Sequence, residues 1–237
     1  MSKVSVLLIN GSPRKYGGTF KLLKVAEAGV IDAGGEVKWI HLIDYNIKPC
    51  IGCVSDDQKL CKFPCIIKDD EFNKLGEEIL KADGLIIATP IYWYNVSPLV
   101  KNLVDRMTSF ENMILHLNRS LCDGKTAGFI AVGADSGAIM TLANLMIVMN
   151  SMGFHVPPWA IAFHQSEDDV LMNKSAVIDS YNVGYNVAIA SMKLRNLNEW
   201  YRVPRDLESI ISKALKEAEL YTELYTEQRT FRLKKMT

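Results

Sequence analysis

The stretch Val4-Ser5-Val6-Leu7-Leu8-Ile9-Asn10-Gly11-Ser12-Pro13-Arg14-Lys15-Tyr16-Gly17-Gly18-Thr19 decides the fold. It begins with six mostly branched apolar residues, the composition of a strand buried on both faces. The segment from Asn10 onward is rich in Gly, Ser and Thr, carries two cations and opens a helix near Thr19. Strand, loop and helix in this order suit a phosphate. Glycines let the backbone approach closely, free N–H groups at the helix start point at the anion, and the helix dipole adds about half a positive charge there. Ser12 and Thr19 offer hydroxyl donors, and Arg14 offers a fork of N–H donors. The loop is not G-x-G-x-x-G, which disfavours a dinucleotide pyrophosphate, and Gly17-Gly18-Thr19 lacks the lysine of a nucleotide triphosphatase loop. A terminal monophosphate fits better; the alternative is an ordinary Gly/Pro turn.

Outward from this stretch, strand and helix patterns alternate. Helices are predicted over 19–33, 69–82, 97–110 and 138–152, and further strands over 36–43, 85–88, 125–132 and 154–163. Buried strands alternating with helices mean a parallel sheet covered on both faces. The expected fold is α/β: a doubly wound five-stranded parallel sheet in the order 2-1-3-4-5, with extra C-terminal helices over 174–195 and 205–227. On the last helix, Leu207, Ile210, Ile211, Ala214, Leu215, Ala218, Tyr221, Leu224 and Tyr225 recur at helical spacing, a stripe that packs on its own core or on a second subunit. The expected organisation is one domain over 1–165, with a cysteine-rich insertion at 44–68, and a helical extension over 166–237.

The chain has 237 residues, of which 49% are hydrophobic, enough for a large core without disulfides or metals. Lys and Arg number 27 and Asp and Glu 27, so there is no basic balance of the kind that binds nucleic acid. No apolar run reaches the length of a membrane span, and the N-terminus enters a strand directly, so a cytoplasmic protein is expected.

In a doubly wound sheet of this order, ligands sit between strands one and three, at their carboxyl ends. The loop after strand three reads Thr89-Pro90-Ile91-Tyr92-Trp93-Tyr94-Asn95-Val96-Ser97-Pro98. Three aromatics and an Asn between prolines suit a flat heterocycle; capping of the sheet or a subunit contact is the plainer alternative. Paired with the phosphate loop, the ligand reading prevails. The loop Gly133-Ala134-Asp135-Ser136-Gly137, after strand four, completes the pocket.

Gly11-Ser12-Pro13-Arg14 with Gly18-Thr19, Ala82-Asp83-Gly84 leading to Thr89-Pro90-Ile91-Tyr92-Trp93, and Lys101 with Asp105-Arg106 together resemble the NADPH-dependent FMN reductase and iron-sulfur flavoprotein family, whose members are flavodoxin-like. The resemblance covers about residues 3–165. It implies FMN, with its phosphate on Ser12, Arg14, Gly18 and Thr19. Pro90, Ile91, Tyr92, Trp93 and Asn95, with Gly133 and Asp135, would line the ring. In that chemistry NAD(P)H delivers a hydride to the flavin, and no protein side chain acts as acid, base or nucleophile.

Cys50, Cys53, Cys61 and Cys65 are spaced C-x2-C-x7-C-x3-C, and four thiolates in sixteen residues can wrap a [4Fe-4S] cluster or Zn; free thiols and disulfides are the alternatives. The resembling iron-sulfur flavoproteins carry two residues between each of their first three cysteines. Here position 56 is Asp56, and Cys61 comes five residues later. Cys122 reads as a small buried residue.

The function expected is an FMN-dependent NAD(P)H oxidoreductase acting on a small-molecule acceptor. An iron-sulfur electron carrier served by a ferredoxin-type donor is the second possibility, and a non-enzymatic flavin or metal-stabilised module the third. A homo-oligomer, dimer or tetramer, is expected, since the two C-terminal helices exceed what a five-stranded unit needs.

Overall fold

In a computed structural model of the chain, residues 3–195, 197 and 203–235 are described. Five strands, β1 (Ser5–Asn10), β2 (Glu36–His41), β3 (Gly84–Pro90), β4 (Thr126–Gly133) and β5 (Ile161–Gln165), pair in the order β2-β1-β3-β4-β5, all parallel. This is the flavodoxin-like sheet expected from the sequence. The helices are α1 (Gly18–Asp32), α2 (Phe72–Lys81), α3 (Pro98–Arg106), α4 (Thr108–Glu111), α5 (Ile114–Leu117), α6 (Ala138–Ser151), α7 (Lys174–Leu194) and α8 (Leu207–Lys234).

Strand side chains alternate between two cores, as the pleat requires. Leu7, Ile9, Leu85, Ile87 and Phe129 pack with α2, α3 and α6, whereas Val6, Leu8, Ile86 and Ile130 pack with α1 and α7. Helices α1 and α7 approach so closely that a Cβ on Gly184 would lie 1.9 Å from Ala26 O, and one on Gly29 would lie 2.1 Å from Tyr181 O. A side chain at either position would force the helices apart.

The chain divides into two compact units, Met1–Trp200 and Tyr201–Thr237, so α7 belongs with the sheet. The second unit consists mainly of α8, along which Leu207, Ile210, Ile211, Leu215, Tyr221 and Tyr225 are exposed; the Leu224 side chain lies outside the described residues. No described helix is long and apolar enough to cross a membrane.

The fifth strand begins at Ile161 rather than at 154. Pro157 and Pro158 cannot donate to a ladder, and Trp159 has φ +56°. The helix expected over 97–110 divides at Met107 into α3 and α4, and the one expected from 69 starts at Phe72, where Asp70 Oδ1 takes the Phe72 N–H at 3.1 Å.

Candidate functional site

Three loops meet at the carboxyl ends of β1, β3 and β4. The first runs from Gly11 to Gly17 and is propped from below by Asn10. The Asn10 side chain, wholly buried, accepts the Ser12 N–H at 3.1 Å and meets His41 Nδ1 at 3.1 Å. Ser12 is 4% exposed, and its Oγ accepts the Arg14 N–H at 3.1 Å. Helix α1 then starts with Gly17 as N-cap and no side chain capping its first turn, which leaves N–H groups open to an anion. Gly18 opens that turn, and a Cβ there would lie 2.8 Å from Val170 Cγ1 and 3.1 Å from Val132 Cγ1. Thr19 is 3% exposed, while Arg14 stands in solvent beside Gly17. The structure therefore brings Ser12, Arg14, Gly18 and Thr19 to one helix start.

The second loop follows Pro90. Tyr92 N–H donates to Asn95 O at 2.9 Å, and Asn95 N–H donates to Tyr92 O at 3.1 Å. The two residues between them, Trp93 and Tyr94, have φ +49° and +63°. This is the two-residue turn normally filled by Asn-Gly, and each left-handed bulky residue costs about 1–3 kcal/mol. Trp93 is 94% exposed at its tip. Ile91, Tyr92, Trp93, Asn95, Val96, Pro98, Lys101 and Asn102 line a cavity of about 680 Å³.

The third loop is tied to the second. Ile91 N–H donates to Val132 O at 2.8 Å, and Gly137, at φ +94°, would press a Cβ to 2.9 Å from Tyr94 Cδ1. Gly133 O takes the Ser166 N–H at 3.1 Å, and Gln165 Oε1 caps the Ala138 N–H of α6 at 2.6 Å. Asp135 is exposed and turns its Oδ1 back onto the Ser136 N–H at 2.6 Å.

Ser97 links the first two loops. Its Oγ donates to Gly11 O at 2.6 Å and accepts the Val100 N–H at 3.3 Å as N-cap of α3, while its own N–H donates to Thr89 Oγ1 at 2.9 Å. Asn10, Ser97, Gln165 and Val170 hold the site in shape, and sequence reading gave none of them a role in it. Only Ser97 carried a readable signal, a Ser directly before Pro at a helix start.

The far end of α3 holds the cysteine loop. Arg106 lies about 13 Å along the helix axis from Ser97. Its buried guanidinium pairs with buried Asp70 at 2.5 Å, donates to Lys48 O at 3.0 Å and sits 4.5 Å above the Phe72 ring. Burial pushes the Asp70 carboxyl up, but hydrogen bonds from Arg106, Lys48 N–H and Phe72 N–H override it and hold the group below its ordinary value. Burial, then the neighbouring Cys53, Cys50 and Cys65, push the Cys61 thiol up to about 12. Burial also takes Cys122, which is wholly buried as expected, to about 12.

The four thiols thus lie near one another, yet among the described residues no group of three or more His, Cys, Asp and Glu side chains is placed to hold a metal ion. The expected centre on Cys50, Cys53, Cys61 and Cys65 does not close. Asn112 and Asn73 draw the Cys61 and Cys65 backbones inward, whereas Cys50 stays at the surface. Polar side chains, Asn73, Arg106 and Asn112, anchor the backbone of this loop.

The model of the NADPH-dependent FMN reductase family matches residues 4–168. Two proteins of Archaeoglobus fulgidus, each named iron-sulfur flavoprotein, are similar: one is 40% identical over 138 residues, 57% of this chain and 65% of the relative. The other is 33% identical over 166 residues, 69% of each. The chain thus spans about two thirds of these relatives' length. Among solved structures, RosB with a bound 8-demethyl-8-formylriboflavin-5'-phosphate intermediate has a TM-score of 0.67 at 20% identity, over 90% of this chain and 87% of that one. That likeness speaks for the fold.

Proposed function

The chain belongs to the NADPH-dependent FMN reductase family, and from that premise we propose that it is an FMN-dependent oxidoreductase that passes electrons from NAD(P)H to a small-molecule acceptor. The observation that carries the reading is the junction at Ser97, where the uncapped start of α1 and the aromatic turn of the second loop are fastened side by side. The residues fit FMN. A helix start without a side-chain cap, a Gly18 whose missing Cβ leaves the turn clear, and two nearly buried hydroxyls suit a terminal phosphate.

In this reading Ser12, Arg14, Gly18 and Thr19 hold the phosphate. Pro90, Ile91, Tyr92, Trp93 and Asn95 line the ring with Gly133 and Asp135. FMN, when bound, supplies a ring that accepts a hydride and gives up electrons. The chain binds and orients it, and backbone amides of the second and third loops tune its polar edge; no side chain is needed as acid, base or nucleophile. The family's name supports NADPH as donor, and the five free cysteines agree with a reducing compartment such as the cytoplasm. The exposed stripe on α8 supports a homo-oligomer, which sedimentation at micromolar concentration tests.

A second reading, an iron-sulfur electron carrier with a ferredoxin-type donor, draws on the names of the Archaeoglobus fulgidus relatives. The thiols as placed do not fit it, and no step is derived through a cluster. The deciding experiment is the visible spectrum of anaerobically purified protein, with iron analysis, followed by addition of NADPH. A flavin spectrum bleached by NADPH supports the proposal. Bleaching by reduced ferredoxin alone favours the carrier, and a colourless protein that FMN does not reconstitute favours a non-enzymatic module.

A further inference from the structure

Asn10 and His41 face each other on the last rung shared by β1 and β2, and Asn10 is wholly buried. A backbone N–H can only donate, so the Ser12 N–H at 3.1 Å fixes the Asn10 side-chain oxygen as its acceptor. The Asn10 amide nitrogen is thereby turned to His41 Nδ1 at 3.1 Å. It too can only donate, so Nδ1 must present its lone pair, and His41 is held as the neutral tautomer with its proton on Nε2. The relay runs on into the loop: Ser12 Oγ accepts the Arg14 N–H at 3.1 Å, which leaves the Ser12 hydroxyl proton for another acceptor.

The imidazole is stacked as well as bonded. Its ring centroid lies 6.0 Å from that of Phe20, in the first turn of α1, and 6.0 Å from that of Trp39. Turning away from Asn10 would break both stacks. The charged groups on the surrounding elements have other partners. Strand β1 has no charged side chain. On α1, Lys24 and Glu27 pair with each other and both meet Trp39, and Lys21 pairs with Asp169. On β2, Lys38 lies 3.8 Å from Glu78, and just beyond the strand Asp44 pairs with Lys15 at 2.6 Å. Among the described residues no carboxylate pairs with His41, so a proton there finds no counter-charge.

We propose that His41, acting through Asn10, is a positioning residue for the phosphate loop, and that a proton taken up by His41 loosens the loop's hold on FMN. The inference rests on the reading of Ser12 to Thr19 as the FMN phosphate site and adds the regulation of that site. A proton on Nδ1 sets two donors against each other. If the Asn10 amide turns over to offer its oxygen to His41, its nitrogen meets the Ser12 N–H, again donor against donor. Either way one hydrogen bond of the relay is lost, and buried Asn10 has no water to replace it. Histidine is the side chain that ordinarily changes charge between about pH 5 and 8, so the relay responds to mild acid.

The test is a fluorescence titration of the full chain with FMN and with riboflavin from about pH 8 to about pH 5. A phosphate monoester takes up a proton in the same range, so the parent is compared with His41→Asn, whose side-chain oxygen accepts from Asn10 at any pH. Toward acid the parent should lose FMN affinity about tenfold further than His41→Asn does, and riboflavin should show no such difference. At about pH 8, His41→Asn should hold FMN more tightly than His41→Phe, which keeps the stacking but has no acceptor. Equal acid profiles for the parent and His41→Asn, or equal affinities for the two variants, would overturn the proposal. So would tighter binding by the parent in acid, which would mean that the imidazolium simply attracts the phosphate. A second readout needs neither flavin nor variant: in NMR spectra of the isotope-labelled chain, the Ser12 and Arg14 amide signals should move together with the His41 ring signals as pH falls. Amides that ignore the His41 titration in a chain that binds FMN would overturn the relay alone. Amides that follow it in a chain that binds FMN at no pH would overturn the reading of the site.

Discussion

The Ser97 hydroxyl donates to the carbonyl of Gly11 at 2.6 Å, and this one hydrogen bond joins the loop after β1 to the start of α3. The same oxygen caps α3 by accepting the Val100 N–H. Ser97→Ala removes a helix cap, at about 0.5–2 kcal/mol, and leaves a buried carbonyl unpaired, at about 1–3 kcal/mol. The variant is expected to lose about 2 kcal/mol in urea denaturation and to bind FMN about tenfold more weakly. Unchanged FMN affinity in a destabilised variant would show that the junction serves the fold alone.

The sheet was legible because its signal is local and repeated. Val4 to Ile9, Leu85 to Ala88 and 125–132 are apolar runs whose only stable use is a strand buried on both faces, and the order 2-1-3-4-5 follows from connections of helical length. The loops that gather the site were legible for the same reason, since each follows a strand end. The props were not. Asn10 reaching Ser12, Gln165 capping α6 and Val170 facing Gly18 join residues far apart in the chain or use polar side chains without periodicity. The course of the cysteine loop was not legible, because metal spacing is read along the chain, whereas Asn73, Arg106 and Asn112 set where its backbone runs.

The phosphate cradle predicts a ligand-selective loss. Arg14→Ala with Thr19→Ala should weaken FMN by tenfold or so while leaving riboflavin nearly unchanged, because only FMN carries the phosphate. Fluorescence titration of both ligands checks it, and equal losses would place the phosphate elsewhere. Gly18→Ala should block FMN by setting a methyl 2.8 Å from Val170 Cγ1, and Val170→Ala in the same chain should restore part of the affinity.

The aromatic turn predicts a trade of stability against binding. Trp93 and Tyr94 hold left-handed backbone that Asn-Gly would adopt with far less strain. Replacing the pair by Asn-Gly should therefore raise stability by about 1–3 kcal/mol. The same change should lower flavin affinity and restore flavin fluorescence that Trp93 and Tyr92 quench. A gain in stability with binding and quenching intact would mean that the aromatics serve another surface.

The buried pair of Arg106 and Asp70 makes a pH-dependent prediction. Asp70 titrates below its ordinary value of 3.8, so it binds its proton less readily in the folded chain than in the unfolded one. Its contribution to stability is therefore fully present above the unfolded value and is lost as pH falls through the lower folded value. Asp70→Asn leaves Arg106 buried without its counter-charge, at a cost of about 3–5 kcal/mol at neutral pH. Urea denaturation from neutral pH into the acid range should show this variant converging on the parent, because the parent loses there what the variant never had. Asp69 is lowered as well, by its hydrogen bond with Lys48, but it lies at the surface, and Asp69→Asn should leave the profile nearly unchanged. Parallel profiles for Asp70→Asn and the parent would mean that Asp70 titrates alike in both states. The clamp on the two ends of the cysteine loop would then rest on the Arg106 hydrogen bonds to Lys48 O and Ile67 O.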